Sequence, residues 1–386
     1  MTVPTGAIQS STAPVNSPAW AENLSPDPPL PIFNGTAEAD VCVIGLGGSG
    51  LACIHELLRL GKRVIGLDAG TVAGGAAGRN GGFLLAGTAA FYTQAVAELG
   101  RERARRIYQL TLDELDRITE ETPDVIHRRG SLRIASSVAE ESDCNLQRSA
   151  MLADGFAAEP YEGSEGRGLL FPADGAFNPL ARCRILARRA TEQGASLYEH
   201  SRVISLGDGN VQLKTGSITC THTIVAVDGR LEQLLPELAG HVRTARLQML
   251  STGPVPEVRI ARPVYRRWGY DYWQQLPDGR VVLGGCRDRF LDSEWTMETR
   301  PTAEVQQCME SILRDVVGVT QPVLHRWGAS VSYSNGILPV MKQVRPGVWA
   351  IGGYNGTGNV IGSIYGRMVA QIAITGESGL LRTFES

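Results

Sequence analysis

Lysine, cysteine and long apolar runs are all scarce in this 386-residue chain, and each scarcity excludes a class of protein. Lys62, Lys214 and Lys342 are the only lysines and the net charge is -3, so no basic surface suited to nucleic acid is expected. The seven cysteines are scattered and odd in number, which argues against a disulfide framework or a structural metal and for a reducing compartment. No apolar run reaches the roughly 18 to 20 residues that a membrane-spanning helix needs. We therefore expect a cytoplasmic protein with no nucleic-acid partner, no metal and no membrane span.

Basic residues are also absent from the first 40 positions, which lack the apolar h-region of a secretory signal. Residues 1–34 are rich in Pro, Ser and Ala, and we interpret them as an N-terminal extension. Such an extension is either a disordered tail or a segment that docks partly on the protein through its apolar members. Those members are Trp20, Leu30, Ile32 and Phe33.

Glycine, by contrast, is abundant, and its most informative cluster lies in DVCVIGLGGSG at 40–50. Gly45, Gly47 and Gly50 form the G-x-G-x-x-G pattern directly after a short apolar run typical of a buried parallel strand. Apolar residues at helical spacing follow, and then a second apolar strand that ends at Asp68. In a nucleotide-binding βαβ unit the helix N-terminus binds a pyrophosphate and the acid accepts from a ribose hydroxyl. This order of features predicts a dinucleotide site.

The segment after Asp68 separates the possible dinucleotides. No Arg follows Asp68 directly, which disfavours NADP, but NAD and FAD both carry an ADP moiety. Residues 69–87 are rich in glycine and contain Arg79 and Asn80, where an NAD-binding domain would enter an ordinary helix. Small residues let the chain run beside a large flavin, and Arg and Asn are suited to phosphate or ribitol. We interpret the stretch as a flavin contact, with a flexible loop as the alternative.

Six segments, taken in order, resemble the D-amino-acid-oxidase-like family of FAD-dependent oxidoreductases, which includes glycine oxidase, sarcosine oxidases and γ-glutamylputrescine oxidase. Each segment is weakly specific alone, whereas their order and spacing together are specific. The matching segments are 37–50, 78–82, 174–206, 223–229, 276–285 and 347–371.

The resemblance implies an α/β chain, α+β overall, in which a Rossmann-like FAD-binding domain of the glutathione-reductase type joins a second, mainly antiparallel β-sheet substrate domain. We assign residues 35–87, 174–233 and 326–386 to the FAD-binding domain. Residues 88–173 and 234–325 form the substrate domain. Within the latter, 98–118 has the pattern of a charged amphipathic helix, and the aromatic run from Tyr270 predicts a hairpin that turns at Asp278-Gly279.

The resemblance also implies FAD as the cofactor. Its predicted ligands are Gly45, Gly47, Gly48, Ser49, Gly50, Asp68, Ala69, Gly78, Arg79, Asn80, Gly81, Gly82, Val203, Ala226, Val227, Gly229, Gly353, Asn355, Gly356, Thr357, Gly358 and Asn359. Val331 lies near the position of the Cys that tethers flavin in sarcosine oxidases, and Cys286 matches no tether, so we expect non-covalent FAD. A helix beginning near Asn359 is expected to direct its positive end at the flavin ring.

The chain departs from its relatives in RWGASVSYSNGILP at 326–339. Val331 stands where glycine and D-amino-acid oxidases carry an Arg that pairs with the substrate carboxylate, which puts a standard α-amino acid in doubt. None of the lysines aligns with the one that assists oxygen in sarcosine oxidases, so the acceptor is O2 or another carrier. Candidate substrate contacts are Tyr270, Tyr272, Trp273, Arg287 and Tyr354; a half-buried sheet face is the alternative for the aromatic strand.

Together these features predict an FAD-dependent oxidoreductase that oxidises the C–N bond of a primary or secondary amine or amino acid to an imine by hydride transfer. One alternative is an NAD-dependent dehydrogenase that uses only the first glycine cluster. Another is a non-catalytic flavin-binding module. Neither a Ser-His-Asp arrangement nor paired carboxylates are discernible in the sequence, and the flavin would carry the chemistry.

Overall fold

The computed structural model describes residues 16–385, so the predicted extension before residue 16 lies outside the described residues. The helices of the described part are α1 (Gly48–Arg59), α2 (Tyr92–Leu99), α3 (Arg101–Glu121), α4 (Val138–Ala153), α5 (Pro179–Glu192), α6 (Leu231–Leu234), α7 (Leu291–Glu294), α8 (Ala303–Asp315), α9 (Ile361–Thr375) and α10 (Gly379–Glu385). None of these helices combines the length and the apolar character that crossing a membrane would require.

Nineteen strands accompany these helices within the same described range. They are β1 (Gly35–Ile44), β2 (Val64–Leu67), β3 (Phe83–Leu84), β4 (Ile126–His127), β5 (Ser131–Ile134), β6 (Glu159–Gly163), β7 (Gly166–Phe171), β8 (Gly175–Phe177), β9 (Ser196–Tyr198), β10 (Val203–Gly207), β11 (Asn210–Leu213), β12 (Gly216–Val225), β13 (Val242–Pro254), β14 (Val264–Arg266), β15 (Asp271–Gln275), β16 (Arg280–Gly285), β17 (Val323–Ser334), β18 (Val340–Arg345) and β19 (Val348–Gly352).

The first sheet has a parallel centre in the order β9-β2-β1-β12-β19, with β18 antiparallel to β19. β10 and β11 form an antiparallel extension beside the first half of β12. All of β2 and the last four residues of β1 are buried, which is why both read as unbroken apolar runs. This Rossmann-like arrangement brings the ends of β1 and β2 and the start of α1 together.

The second sheet is mainly antiparallel, in the order β17-β13-β16-β15-β14-β5-β7-β6, with one parallel pair between β14 and β5. The predicted hairpin is confirmed as β15 and β16, and the predicted amphipathic helix as α3. The predicted domain division stays a prediction. Its boundary between residues 325 and 326 falls inside β17, which pairs with β13 along nearly its whole length.

Helix α9 packs against α1, and a glycine makes this approach possible. A Cβ atom on Gly366 would collide with the backbone carbonyl oxygen of Ser49. The close approach of the two helices therefore depends on Gly366. As a result, the last long helix of the chain lies beside the helix that follows the first glycine cluster.

The described part of the N-terminal extension docks on the protein. Trp20 is 1% exposed, and its Nε1 donates to the Asn80 carbonyl oxygen at 2.9 Å while its own carbonyl accepts from the Asn178 side chain at 2.9 Å. Phe33 is also buried, whereas Ile32 is 58% exposed. Of the two alternatives for this segment, docking therefore holds from residue 16 onward, with Trp20 as its deepest anchor.

Candidate active site

The first glycine cluster forms a tight turn that leads into α1. Gly45 has φ +107°, and a Cβ on Gly50 would collide with the Gly45 carbonyl oxygen, so the turn depends on both glycines. Gly47 caps α1 without a side-chain hydrogen bond, and the first turn carries no acidic residue. The leading N–H groups of α1, which include that of Ser49, thus have no side-chain acceptor and meet the requirement of a bound phosphate.

Asp68 directly follows β2 and lies beside this turn. Its Oδ2 accepts from the Leu46 backbone N–H at 2.9 Å and its Oδ1 from the Gly70 N–H at 2.8 Å. Burial raises the pKa of this carboxyl above its ordinary value. The two backbone donors fix the carboxylate in place and leave each oxygen able to accept once more, as a ribose diol would require. The next residue, Ala69, is exposed.

Arg79 and Asn80 bind other parts of the protein. The Arg79 guanidinium donates to the Gly74 and Gly328 carbonyls and to two oxygens of Asn16. The Asn80 Nδ2 donates to the Ala76 and Ala77 carbonyls and to Asn359, and its Oδ1 accepts from the Gly82 N–H. Their side chains therefore shape the 78–82 segment, and the expected phosphate or ribitol contact through them stays a prediction.

Asp228 holds the predicted flavin loop at 352–359. Its Oδ1 accepts from the Gly353 N–H at 2.9 Å, and its Oδ2 accepts from the Ser332 N–H of β17 at 3.2 Å. Burial raises the pKa of Asp228 to about 6. This carboxyl joins the loop to a strand of the second sheet, and the sequence did not single it out.

Of the other predicted cofactor positions, Ala226, Val227 and Gly229 follow the end of β12. A Cβ atom on Gly45 would lie 2.6 Å from the carbonyl oxygen of Ala226, and Val227 follows Ala226 in the chain. Gly229 crosses β17, where a Cβ would collide with the Ser330 carbonyl. Val203 begins β10, and its buried side chain packs in the core of the first sheet.

A cavity of about 560 Å³ lies between these glycine-rich loops and the second sheet. Ten of the predicted residues line it. They are Arg79, Asn80, Gly81, Tyr270, Tyr272, Arg287, Asn355, Gly356, Thr357 and Asn359. Val331 and Tyr333 of β17 also line it, since alternate residues of a strand face the same side.

The five candidate substrate residues divide into two groups. Tyr272 faces the cavity among other aromatic rings, 5.9 Å from Phe83 and 6.4 Å from Tyr265 between ring centres. Tyr270 and Arg287 also line the cavity. The structure does not bring Trp273 to it: Trp273 follows Tyr272 on β15, so it faces the opposite side and is buried in the core there.

Tyr354 also lies outside the cavity lining. It is 4% exposed, its ring centre is 6.4 Å from that of Tyr365 on α9, and its hydroxyl interacts with the side chain of Ser49 on α1. Its backbone belongs to the predicted flavin loop, but its side chain points between α1 and α9. A loop residue has no periodicity from which this direction could be read.

Two charged residues that the sequence analysis did not single out, Arg133 and Asp174, also line the cavity. Arg133 is buried, pairs with Asp143 and stacks 3.5 Å over the centre of the Phe91 ring. Asp174 accepts from the Ser131 hydroxyl at 2.6 Å and from a backbone N–H at 2.9 Å, and burial raises its pKa to about 6. Ser131 and Arg133 are two residues apart on β5, so the period of two of a strand places them on the same face.

Comparisons with known proteins bear on this arrangement. A family model described as FAD dependent oxidoreductase (DAO) matches residues 40–372. The probable oxidoreductase OrdL of Rhizobium meliloti is 28% identical over 384 residues, 92% of this chain and 88% of that protein. The gamma-glutamylputrescine oxidoreductase of Escherichia coli is 24% identical over 386 residues, again 92% and 88%. Glycine oxidase from Geobacillus kaustophilus, a solved structure, has a TM-score of 0.74 at 18% identity, covering 89% of this chain and 96% of that one.

Proposed function

The chain belongs to the DAO family of FAD-dependent oxidoreductases, and we propose that it oxidises the C–N bond of a small primary or secondary amine or amino acid to an imine. Membership confirms the resemblance seen in the sequence and removes the NAD-dependent alternative. The observation that carries the proposal is the position of the cavity, which lies between the glycine-rich loops and an aromatic wall. Two similar proteins, named for gamma-glutamylputrescine and glycine, support the amine or amino-acid class.

The residues present fit FAD. The uncapped N-terminus of α1 would receive the pyrophosphate, Asp68 the ribose, and the 78–82 and 352–359 segments the flavin. When bound, the flavin accepts the hydride equivalent that leaves the carbon beside the nitrogen. We propose that it is held without a covalent bond, since no Cys or His of the described chain lines the cavity.

The protein's own contribution is orientation and exclusion of water. The rings of Tyr272, Tyr265 and Phe83 form a wall that desolvates an amine and so favours the neutral form that can lose hydride. Burial raises the pKa of both tyrosines, so their hydroxyls stay protonated and can act as donors. Helix α9 begins without a side-chain cap, and its positive end can stabilise negative charge on a reduced ring.

Anaerobic reduction tests the proposal. The holoprotein is mixed with primary amines, N-methyl amines and amino acids, and the loss of flavin absorbance is followed. We expect at least one of these classes to bleach the flavin and yield the carbonyl product of imine hydrolysis. Bleaching by dithionite but by none of the three classes would show a flavoprotein of another function.

A further inference from the structure

Cys308 differs from the other six cysteines of the chain in its access to solvent. All seven lie within the described residues, and Cys308 on α8 is partly exposed whereas the others are buried. The Nη1 of Arg289 donates to the Cys308 Sγ at 3.2 Å. A positive charge next to a sulfur stabilises the negative charge that its reaction with a peroxide requires. Cys308 therefore combines access with a neighbouring cation, which are the two features of an oxidisable cysteine.

The side chain of Cys308 meets a second cysteine, Cys286. The two side chains interact, and Cys286 belongs to the apolar cluster against which Cys308 packs. Cys286 has no exposed surface, and burial raises the pKa of its thiol, so this thiol stays protonated. Cys286 is thus shielded from a dissolved oxidant, but it is in position to react with an oxidised sulfur on Cys308.

The backbone at Cys286 is unusual for its residue type. Cys286 directly follows β16 and has φ +63°, in the left-handed region that favours glycine. Its N–H donates to the Tyr270 carbonyl at 3.1 Å, and its carbonyl accepts from the Arg289 N–H at 3.1 Å, which holds it in this conformation. A residue other than glycine at such a position costs conformational energy, and strain of this kind is concentrated at functional positions. The strain indicates a use for the Cys286 side chain.

We infer that Cys308 and Cys286 are a peroxide-reactive pair that forms a reversible disulfide. Hydrogen peroxide oxidises the Cys308 sulfur to a sulfenic acid and is itself reduced to one water. The Cys286 sulfur then attacks this sulfur, so that the S–S bond forms as the S–O bond breaks. The hydroxyl leaves with the Cys286 proton as a second water. A dithiol reductant returns both thiols, and no step depends on which substrate the flavin site takes.

The bond would join α8 to a segment of the cavity wall. Arg287 directly follows Cys286 and lines the cavity, as does Gly285 on the other side of Cys286. The Cζ of Arg287 lies 4.4 Å from the centre of the Tyr333 ring and 4.7 Å from that of Trp295. The disulfide would therefore attach this part of the wall covalently to α8, although no cysteine of the described chain lines the cavity itself.

Peptide mapping of the oxidised holoprotein tests the pair. The protein is treated with hydrogen peroxide, the free thiols are alkylated, and tryptic peptides are analysed by mass spectrometry without reduction. We expect the loss of two of the seven thiols, a cross-link between peptides 281–287 and 290–314, and the recovery of both thiols with dithiothreitol. Absence of this cross-link at every peroxide concentration that leaves the protein folded overturns the inference.

A second pair of cysteines provides a matched control. Cys42 on β1 and Cys220 on β12 are also close enough to interact, but both are buried. This pair should stay reduced under the same treatment, because proximity without access does not suffice. If Cys42 and Cys220 are oxidised as fast as Cys308 and Cys286, the reaction reports general unfolding and the inference is overturned.

Substitution of each cysteine separates the two roles. Cys286→Ser should accumulate a sulfenic acid on Cys308 that dimedone traps, whereas Cys308→Ser should leave Cys286 unreacted. Cys286→Gly suits the left-handed backbone and serves the same purpose if Cys286→Ser does not fold. A sulfenic acid on Cys286 in the Cys308→Ser variant would overturn the assignment of Cys308 as the cysteine that reacts first.

The contribution of Arg289 is measured by the rate of oxidation. Arg289→Met removes the cation beside the Cys308 sulfur and should slow its oxidation at least about threefold. Arg314→Met, at the end of the same helix α8 and beside Asp315, is the control and should oxidise at the natural rate. An equal rate in Arg289→Met and in the natural protein would overturn the role given to Arg289.

Discussion

Asn80 and Asn359 exchange side-chain hydrogen bonds: the Asn80 Nδ2 lies 3.2 Å from the Asn359 Oδ1, and the Asn359 Nδ2 lies 3.1 Å from the Asn80 Oδ1. These residues are 279 positions apart in the chain. Since Asn80 also orders the 78–82 segment and Asn359 ends the predicted flavin loop at 352–359, one amide pair aligns the two glycine-rich segments that flank the cavity.

Substitution of Asn359 by Asp should weaken both FAD retention and stability. The Asn359 Nδ2 donates to the Asn80 Oδ1 and to the Phe83 carbonyl at 2.8 Å. A carboxylate at this position would replace the donor with a negatively charged oxygen that faces two acceptor oxygens. We expect a loss of about 1 to 3 kcal/mol in the free energy of unfolding. Urea titration measures the loss of stability, and the FAD dissociation constant of the reconstituted apoprotein measures the loss of FAD retention. Asn335→Asp, which removes one exposed bond to Gly240, is the control and should have little effect.

Asp68→Ala should weaken FAD binding by roughly 1.5 to 3 kcal/mol for each hydrogen bond lost to this charged group. The carboxylate fixes the turn through Leu46 and Gly70 and would accept from the ribose. Acid precipitation of the natural protein should release all of its FAD into the supernatant. Flavin fluorescence in the washed pellet would contradict non-covalent binding. Asp40→Ala, an acid beside Arg63, is the matched control and should retain FAD normally.

Replacement of Asp174 by Asn should change how stability depends on pH. The folded pKa of about 6 exceeds the unfolded value, so the folded state binds more protons between about pH 4 and 6. The natural protein therefore loses stability from this group as pH rises through that window, by up to about 3 kcal/mol. An amide oxygen still accepts from the Ala86 N–H, and its NH2 group can donate to the Ser131 hydroxyl, which then accepts, so both contacts are kept without that loss.

The free energy of unfolding, measured in urea at pH 5 and at pH 7.5, checks this sign. Relative to the natural protein, Asp174→Asn should be more stable at pH 7.5 than at pH 5. Asp113→Asn, on the exposed side of α3, is the control and should show no such change. A constant difference at the two pH values would mean that the Asp174 carboxyl titrates normally.

Trp20 should be one of the more costly residues to remove. Trp20→Ala opens a cavity and leaves the Asn80 carbonyl without its donor, so we expect a loss of about 3 to 5 kcal/mol. Trp20→Phe keeps most of the volume and should lose only the hydrogen bond, about 1 kcal/mol. Ile32→Ala, at an exposed position of the same segment, should change stability little. Thermal unfolding of the holoprotein ranks the three variants, and equal midpoints would refute a docked segment.

Features that depend on near neighbours in the chain could be predicted from sequence. The glycine turn, α1, the strand ending at Asp68 and the β15–β16 hairpin each follow from local conformational preference and periodicity. Tyr265 was missed because β14 has three residues, too few to show alternation, and its partner β5 is more than 120 residues away. Periodicity also does not tell which face of a strand meets a cavity, and so Trp273 was grouped with Tyr272.

The roles of Arg79 and Asn80 could not be read for a related reason. Both were expected to contact the cofactor because of their chemistry, yet their partners include Asn16, Trp20 and Asn359, which are distant in sequence. A donor-rich side chain among glycines indicates that something must be bound. Whether a ligand or the protein itself meets that need is decided by tertiary structure.

The packing of α9 on α1 also sets an order of events during synthesis of the chain. The glycine turn at 45–50 is synthesised well before α9, which covers Ser49, and before β19, which pairs with β12. A nascent chain that ends before residue 348 has the turn without its covering helix, without β19 and without the 352–359 loop. We therefore expect stable loading of FAD only after β19, the 352–359 segment and α9 have been synthesised, and nascent chains stalled before residue 348 should carry no flavin.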